Sequence, residues 1–548
     1  MSLTRVSSNG RTIVICAALL VSAMLIGCSN LSGSGSLWPD GSQYANAAAM
    51  IHDWLLSGDI THPWEFAKRN YVQFPAFHLP YHPPGYPALL GLFFTLTGVS
   101  YSSGRIFIAL CLWVSGCFFY AILRRTGLSQ TAAFLSSLLL MTTPQIAFWS
   151  RDTMSEIPGL ALILAGSYFF LIWLATESTL ACIAAFCFAE AAFQSRYLTA
   201  GVLPAWFLWA FFAGKVRKLL SPAPLIPTIL YLILNTFWVI YTLPFSKYES
   251  VYSPTPPNTN YGSIFSWKII AFYSARIPEM IGWVTLIAAF VGLLYAIRRR
   301  QFFWLCWLLS NVIFLLIARI YQEDRYFIYA LPAFIGLAAA TFASTGDKRA
   351  GSSSKRYAGP ILVGFCLVAN ASTLRHLPQG VVGYEIVAQR LARLDAPGNI
   401  LVSSLQQTDL IFRYRSEHSA LKRSFIRGDR SLAILPPHYA SAQTTAIAHN
   451  AGDVLDIVRR GRIRYIVTYS PNHRQNDRTA EMKFLDETMR SHPAAFQLLG
   501  QFPLHLQYGN PGYFGQVWLW KFKGELPGGA SEIPVVIPTA DLSIDPGS

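Results

Sequence analysis

The residues of this chain best suited to chemistry are carboxylates and arginines that come from distant segments. Asp40 sits in WPDG, Arg151, Asp152 and Glu156 in SRDTMSE, Arg196 in FQSRY, and Glu323, Asp324 and Arg325 in QEDRY. An arginine can grip a phosphate through two parallel N–H donors, and a carboxylate can take the proton of an attacking hydroxyl. Brought together at a membrane boundary, such groups would suit a substrate with a lipid tail and an anionic head. Singly, each has a plainer reading. An acidic residue at the end of an apolar span is ordinarily solvated, and Asp40 is a common turn residue type.

Four histidines, His52, His62, His78 and His82, share the segment 29–105 with Asp40, Asp53, Asp59 and Glu65. They could hold a divalent metal, but their spacing matches no standard zinc pattern, so no residue is assigned as a metal ligand. The other seven histidines lie in the C-terminal part. Glu190 stands alone in an apolar run. It would face a helix partner or a cavity, or pair with Arg196 near the end of its span.

These groups share a boundary only if the elements between them cross a membrane. Apolar residues make up 53% of the 548 residues and charged residues 13%, half the usual share of a soluble domain, which excludes a disordered chain and an ordinary cytosolic enzyme. Eleven stretches are apolar and long enough to span a bilayer: 12–28, 106–123, 128–149, 157–175, 178–195, 197–213, 219–243, 280–297, 301–318, 326–343 and 357–374. With the N-terminus in the cytoplasm, every strong basic cluster between spans falls inside: Arg124-Arg125, Lys215/Arg217/Lys218, Arg298–Arg300 and Lys348/Arg349/Lys355/Arg356. This distribution accounts for much of the net charge of +15 without nucleic acid. It also puts the carboxylates and arginines named above together on the outer side.

Residues 84–100 are apolar but short and broken by Gly and Pro, and read as a juxtamembrane or re-entrant piece on that side. Segment 244–279, rich in Pro, Tyr and Ser, reads as a second outer loop. From 375 onward helical and extended patterns alternate: helices near 384–394, 453–460 and 478–490, and strands at 399–404, 464–469 and 516–522. The expected organisation is a transmembrane unit over 1–374, a periplasmic α/β domain over 375–523 and a flexible Pro/Gly-rich tail over 524–548. All eight cysteines precede residue 367 and lie in or beside apolar segments, as small buried hydrophobes. Leu25-Ile26-Gly27-Cys28 is lipobox-like, but the sequence favours Cys28 as the end of an uncleaved first span.

The run WPDGSQYANAAAMIHDWLLSGD followed by YHPPGYPALLGLFF resembles the first periplasmic loop of GT-C glycosyltransferases, in particular bacterial relatives of protein O-mannosyltransferases and of the lipid A aminoarabinose transferase. The matching positions are Asp40, Tyr44, Gly58 and His82-Pro83-Pro84. SRDTMSEIPGL at 150–160 resembles the family's second acidic loop, and DRYFIYALP at 324–332 its Arg-Tyr-aliphatic-Pro span start. The resemblance covers about residues 10–375 and implies an α-helical polytopic fold. It implies transfer of a sugar from a polyprenyl-phosphate donor to a hydroxyl or phosphate of a lipid, glycan or protein acceptor, at the outer face of a bacterial inner membrane. Asp40 would be the general base, and Glu156 or Asp152 a second acid. His82, Arg196, Arg325 and Arg151 would lie near the donor phosphate, and Tyr44, Tyr81 and Asp324 near substrate. Several relatives carry two adjacent acids where this chain has Asp40-Gly41, which leaves one candidate base. Two other classes compete: a transporter or flippase of lipid-linked sugars, and a non-catalytic envelope scaffold. The gathering of polar groups at one face, with no internal repeat, favours the enzyme over a transporter.

Overall fold

The computed structural model describes residues 3–544 except 30, 32–34, 37, 78–81, 253–266, 319–322, 345–354, 375–380, 405, 418–422, 435–444, 472–479, 509, 534 and 538–541. Helix occupies each of the eleven apolar stretches. Among the described residues, four segments are long and apolar enough to cross a membrane: Gly10–Gly27, Tyr101–Arg125, Glu156–Thr176 and Pro222–Thr242. The helices Trp267–Ile281 and Trp283–Arg299 would add one broken span, bent by 111°. The remaining apolar helices, such as Gln130–Thr142, Thr179–Ser195 and Phe303–Ile317, are shorter.

The breaks have local causes. Thr143 is driven out of the helical region by the proline that follows it, so the stretch 128–149 divides into Gln130–Thr142 and Pro144–Trp149. Gly282, at φ 83°, makes the sharp corner between the two bent helices. Serine side chains at 100, 129 and 178 accept backbone N–H bonds and start the helices that follow them. Between Arg196 and Val202, and between Glu323 and Leu331, the chain enters the membrane part through 3-10 turns, Tyr197–Gly201 and Asp324–Ala330.

Segment 29–105 is largely helical: Pro39–Ser57, Pro63–Gln73 and Gly85–Thr97. The last, at about 1.5 Å per residue, is roughly 20 Å long and too short to cross a bilayer. It packs on Pro39–Ser57, where a Cβ at Gly91 would come within 2.8 Å of the Ala48 carbonyl oxygen. The segment read as a second outer loop is also helical at both ends, with Pro222–Tyr252 running into it and Trp267–Ile281 out of it. Its middle, 253–266, lies outside the described residues.

The C-terminal part builds a six-stranded mixed sheet. Its spatial order is Val381–Val382, Phe496–Tyr508, Asn510–Phe522, Ile463–Pro471, Asn399–Ser403 and Phe425–Arg427. Asn399–Ser403 pairs in parallel with both Phe425–Arg427 and Ile463–Pro471, while Phe496–Tyr508 and Asn510–Phe522 form an antiparallel hairpin. Alternation along the strands sends Ile400, Val402, Tyr465 and Val467 into one core with helices Tyr384–Ala392 and Gln407–Ser416. It sends Leu401 and Ile466 into another core with Ala451–Arg460 and Ala480–Ser491. The described end of the Pro/Gly-rich segment is tied down. Glu532 N–H donates to the Arg460 carbonyl at 2.9 Å, and Val535–Ile537 pairs with Leu542–Ile544.

Candidate active site

Helix Gln407–Ser416 is buried along nearly its whole length and docks on Pro39–Ser57, the helix that carries Asp40. The Thr408 and Ser42 hydroxyls lie 2.6 Å apart, Asn46 Nδ2 donates to the Thr408 carbonyl at 2.9 Å, and Arg415 pairs with Asp53 at 2.7 Å. Asp40, in the first turn of its helix, therefore stands on a braced element.

The approach to that turn is held by Asp152. Its Oδ2 accepts from the Trp38 N–H at 3.0 Å and its Oδ1 from Ser36 Oγ at 3.1 Å and from the Thr153 N–H at 2.7 Å. Thr153 Oγ1 donates to the Gly41 carbonyl at 3.0 Å. A Cβ at Gly41 would stand 2.6 Å from Asp152 Oδ1, so Asp152 fills the space a larger side chain would need next to Asp40. Asp152 thus positions the backbone around Asp40.

The reactive cluster lies beside this brace. Arg325 Nη1 donates to Asp40 Oδ2 at 2.7 Å, and Arg325 Nε also contacts Glu323. Arg196 Nη2 is 3.1 Å from Glu156 Oε1, and Arg325 Nε is 4.0 Å from the same oxygen. Glu156, the first residue of helix Glu156–Thr176, is 1% exposed. Neither of its carboxylate oxygens has an aligned hydrogen bond among the described residues. It is held by charge, from two guanidinium groups and from the positive end of its own helix. Arg196 Nη1 donates to Tyr44 Oη at 3.1 Å and to Ser155 Oγ at 3.4 Å, and His82 Nδ1 lies 3.4 Å from Tyr44 Oη. The His82-Pro83-Pro84-Gly85 turn can lie here because Gly85 has no Cβ; one would sit 2.7 Å from the Gln194 carbonyl oxygen, two residues before Arg196.

The electrostatics follow from this packing. Desolvation opposes charge on Asp40, but the adjacent Arg325 guanidinium above all holds its carboxyl well below the usual carboxylate range. His82 is pushed down to about 4 by burial, aided by Arg196 and Arg325 and opposed by Asp40, so it is neutral at pH 7. Burial raises Glu323 despite Arg325.

The structure therefore brings together Asp40, Tyr44, His82, Glu156, Arg196 and Arg325. Arg151 lies behind this cluster, with Nε donating to the Ile26 carbonyl at 3.1 Å. Asp324 faces the other way and pairs with Arg276 at 2.9 and 3.0 Å. Glu190 pairs with Asn235 Nδ2 at 2.6 Å and Gln194 Nε2 at 3.0 Å rather than with Arg196. Tyr81 and His78 lie outside the described residues. His52 bonds to Asp53 and His62 to Asp59, and among the described residues no three His, Cys, Asp or Glu side chains are placed to hold a metal ion together.

Sequence reasoning missed Tyr326, Tyr329 and Trp38. Arg325 lies over the rings of Tyr326 and Trp38 at 5.2 and 5.7 Å, and Arg196 over Tyr326 at 5.4 Å. The Tyr329 hydroxyl comes so near the first turn of helix Glu156–Thr176 that a Cβ at Gly159 would be 2.6 Å from it. The signal was present in DRYFIYALP: Tyr326 and Tyr329 are three apart, which eclipses them on a 3-10 turn.

Residues 81–241, which include His82, Glu156 and Arg196, match the family model of dolichyl-phosphate-mannose-protein mannosyltransferases. The fold is similar to that of ArnT from Cupriavidus metallidurans, known bound to undecaprenyl phosphate and in the apo state. The TM-scores are 0.57 and 0.56 at 13% and 14% identity, over 95% and 94% of this chain and 99% and 98% of those chains. No curated protein matches in sequence. The chain thus has the GT-C fold and resembles the membrane glycosyltransferases of the mannosyltransferase and ArnT type.

Proposed function

We propose that this chain is a membrane glycosyltransferase that moves a sugar from a polyprenyl-phosphate donor to an acceptor hydroxyl or phosphate, with inversion. The reading assigns the transmembrane unit to 1–374, the α/β domain to 375–523 and the tail to 524–548. It puts the N-terminus in the cytoplasm and the cluster and α/β domain on the periplasmic side of a bacterial inner membrane. The observation that carries it is the gathering of half-buried Asp40 with buried Glu156, Arg196 and Arg325, drawn from four separate segments.

In the free protein Arg325 is occupied by Asp40. A donor phosphate competes for Arg325 and Arg196, and as it draws Arg325 away Asp40 recovers its basicity. Asp40 then takes the acceptor proton as the acceptor oxygen attacks the anomeric carbon. The bond from that carbon to the phosphate oxygen breaks, and the leaving polyprenyl phosphate carries its charge to the two arginines. Neutral His82 can donate an N–H to a phosphate oxygen, and the aromatic rings of Trp38 and Tyr326 keep the arginines in place. Glu156 holds Arg196 and limits how far it can follow the product.

The test uses purified protein in lipid with radiolabelled polyprenyl-phosphate sugars and an envelope acceptor fraction. Wild type should transfer label, and folded Asp40→Asn should do so roughly 100- to 10,000-fold more slowly. Equal transfer by both would remove Asp40 from the mechanism. No transfer by wild type across several sugars would favour transport.

A further inference from the structure

At the far end of helix Glu156–Thr176 lies a cavity of about 430 Å3. Glu156 starts that helix and Leu171, Leu174 and Ala175 line the cavity, so the two places are roughly 27 Å apart at about 1.5 Å rise per residue, close to the thickness of a hydrocarbon core. The cavity walls are apolar, with Leu171, Trp209, Trp304 and Leu337, and its mouth carries Arg125, Lys215 and Arg300. Lys215 Nζ donates to the Leu174 carbonyl at 3.1 Å. Arg125 and Arg300 are exposed, and among the described residues neither has a carboxylate partner. Arg300 also holds a left-handed backbone conformation at φ 55°, where it ends helix Trp283–Arg299. Trp209 contributes one more feature. Its indole Nε1 is buried and has no hydrogen-bond acceptor among the described residues.

An apolar chamber with uncompensated cations at its mouth is complementary to a molecule with a hydrocarbon tail and an anionic phosphate. Two sources share that chemistry, an anionic glycerophospholipid and a polyprenyl phosphate. Two observations select the first. The cavity is a membrane thickness from the acid–arginine cluster, too far for a phosphate seated here to react there. The indole N–H also calls for an oxygen acceptor below the head group, and a glycerolipid ester has one where a prenyl chain has none. We propose that this cavity binds one anionic glycerophospholipid, with its phosphate on Arg125 and Arg300, an acyl chain between Trp209 and Trp304, and an ester oxygen within reach of Trp209.

The test is native mass spectrometry of the full-length protein, with palmitoyl-oleoyl phosphatidylglycerol and the matching phosphatidylcholine as probes. Wild type should retain one phosphatidylglycerol in preference to phosphatidylcholine. Arg125→Gln with Arg300→Gln should weaken that retention by about tenfold or more. Ala213→Phe, which adds a ring at a lining position and changes no charge, should weaken it as well, while Arg217→Gln, an exposed cation of the same end, should leave it unchanged. Equal retention of the two lipids would overturn the proposal, as would wild-type retention by Ala213→Phe or an equal loss in Arg217→Gln. Displacement of phosphatidylglycerol by equimolar undecaprenyl phosphate would overturn the choice of glycerophospholipid.

Discussion

Two pairs of buried arginines lie near Asp40, and they do different work. Arg105 and Arg151 spend their donors on backbone carbonyls at the end of the first helix: Arg105 Nη2 reaches Gly27 at 2.6 Å and Ser29 at 2.7 Å, and Arg151 Nε reaches Ile26 at 3.1 Å. Burial lowers Arg151 from the usual guanidinium value. Arg196 and Arg325 are paired with Glu156 and Asp40, and those carboxylates raise both despite burial. The first pair closes a helix terminus whose carbonyls would otherwise be unmet. The second faces the carboxylates of Asp40, Glu156 and Glu323, in a place where an incoming anion can rearrange the pairs. Burial and residue type are the same in both pairs, so the partner alone separates scaffold from site.

The sharpest way to break this distinction is Arg325→Met. It leaves Asp40 without its ion-pair partner in a desolvated cluster and should cost about 3–5 kcal/mol of stability in denaturant unfolding. A loss under about 1 kcal/mol would mean that the cluster is already hydrated. Acidification should have the next largest effect. His82 has a folded value near 4 against an ordinary value of 6.5, so below pH 6.5 the unfolded chain takes up a proton that the folded protein refuses until about pH 4. Stability should therefore fall by about 2 kcal/mol between pH 7 and 5, and His82→Gln should remove that part of the slope in a melting-temperature profile. Asp40 has a depressed folded value, so the stability it contributes is lost only at still lower pH, below its ordinary range.

Arg151→Met sharpens the comparison from the scaffold side. It should cost about 1–3 kcal/mol for the lost charged bond to the Ile26 carbonyl, which keeps only the 3.3 Å bond from Ser29 Oγ, with label transfer per folded molecule unchanged, whereas Arg196→Met should lose transfer. Asp324→Asn should do least. Its bidentate pair with Arg276 is exposed, so a stability change within about 1 kcal/mol and unaltered transfer are expected.

Much of the helical architecture could be read from apolar run length, because a membrane requires long runs of one character. What could not be read were the places where helices stop short. Thr143-Pro144 and Gly282 divide runs that composition alone joins. In the C-terminal part the strands Asn399–Ser403 and Ile463–Pro471 were visible as β-branched runs. Phe496–Tyr508 was hidden because Gly500 and Pro503 interrupt its alternation, and register shifts near Leu498 and Leu504 change which face its side chains take. Helix Gln407–Ser416 was hidden for the opposite reason. QTDLIFRYRS has no polar face to leave in water, since Thr408, Asp409 and Arg413 are themselves buried.

At the site, sequence named the acids and arginines that gather, because types suited to phosphate and proton transfer are scarce in such an apolar chain. It could not rank them. Arg151 and Arg196 look alike in sequence, and so do Asp152 and Glu156. Only the backbone atoms that Arg151 and Asp152 reach distinguish their parts from those of their neighbours.

The contact between Thr408 and Ser42 joins residues 366 positions apart. A chain made at about 5–20 residues per second leaves the Asp40 helix without this neighbour for roughly 20–70 s after it is synthesised. Throughout that interval Ser42 and Asn46 have only the carbonyls of their own helix and lack Thr408. The turn bearing Asp40, already held by Asp152 and Thr153, gains the Thr408 part of its brace only when the ribosome has passed residue 408. Support of the acid–arginine cluster is in this way completed by a part of the message that lies beyond all four of the cluster's own residues.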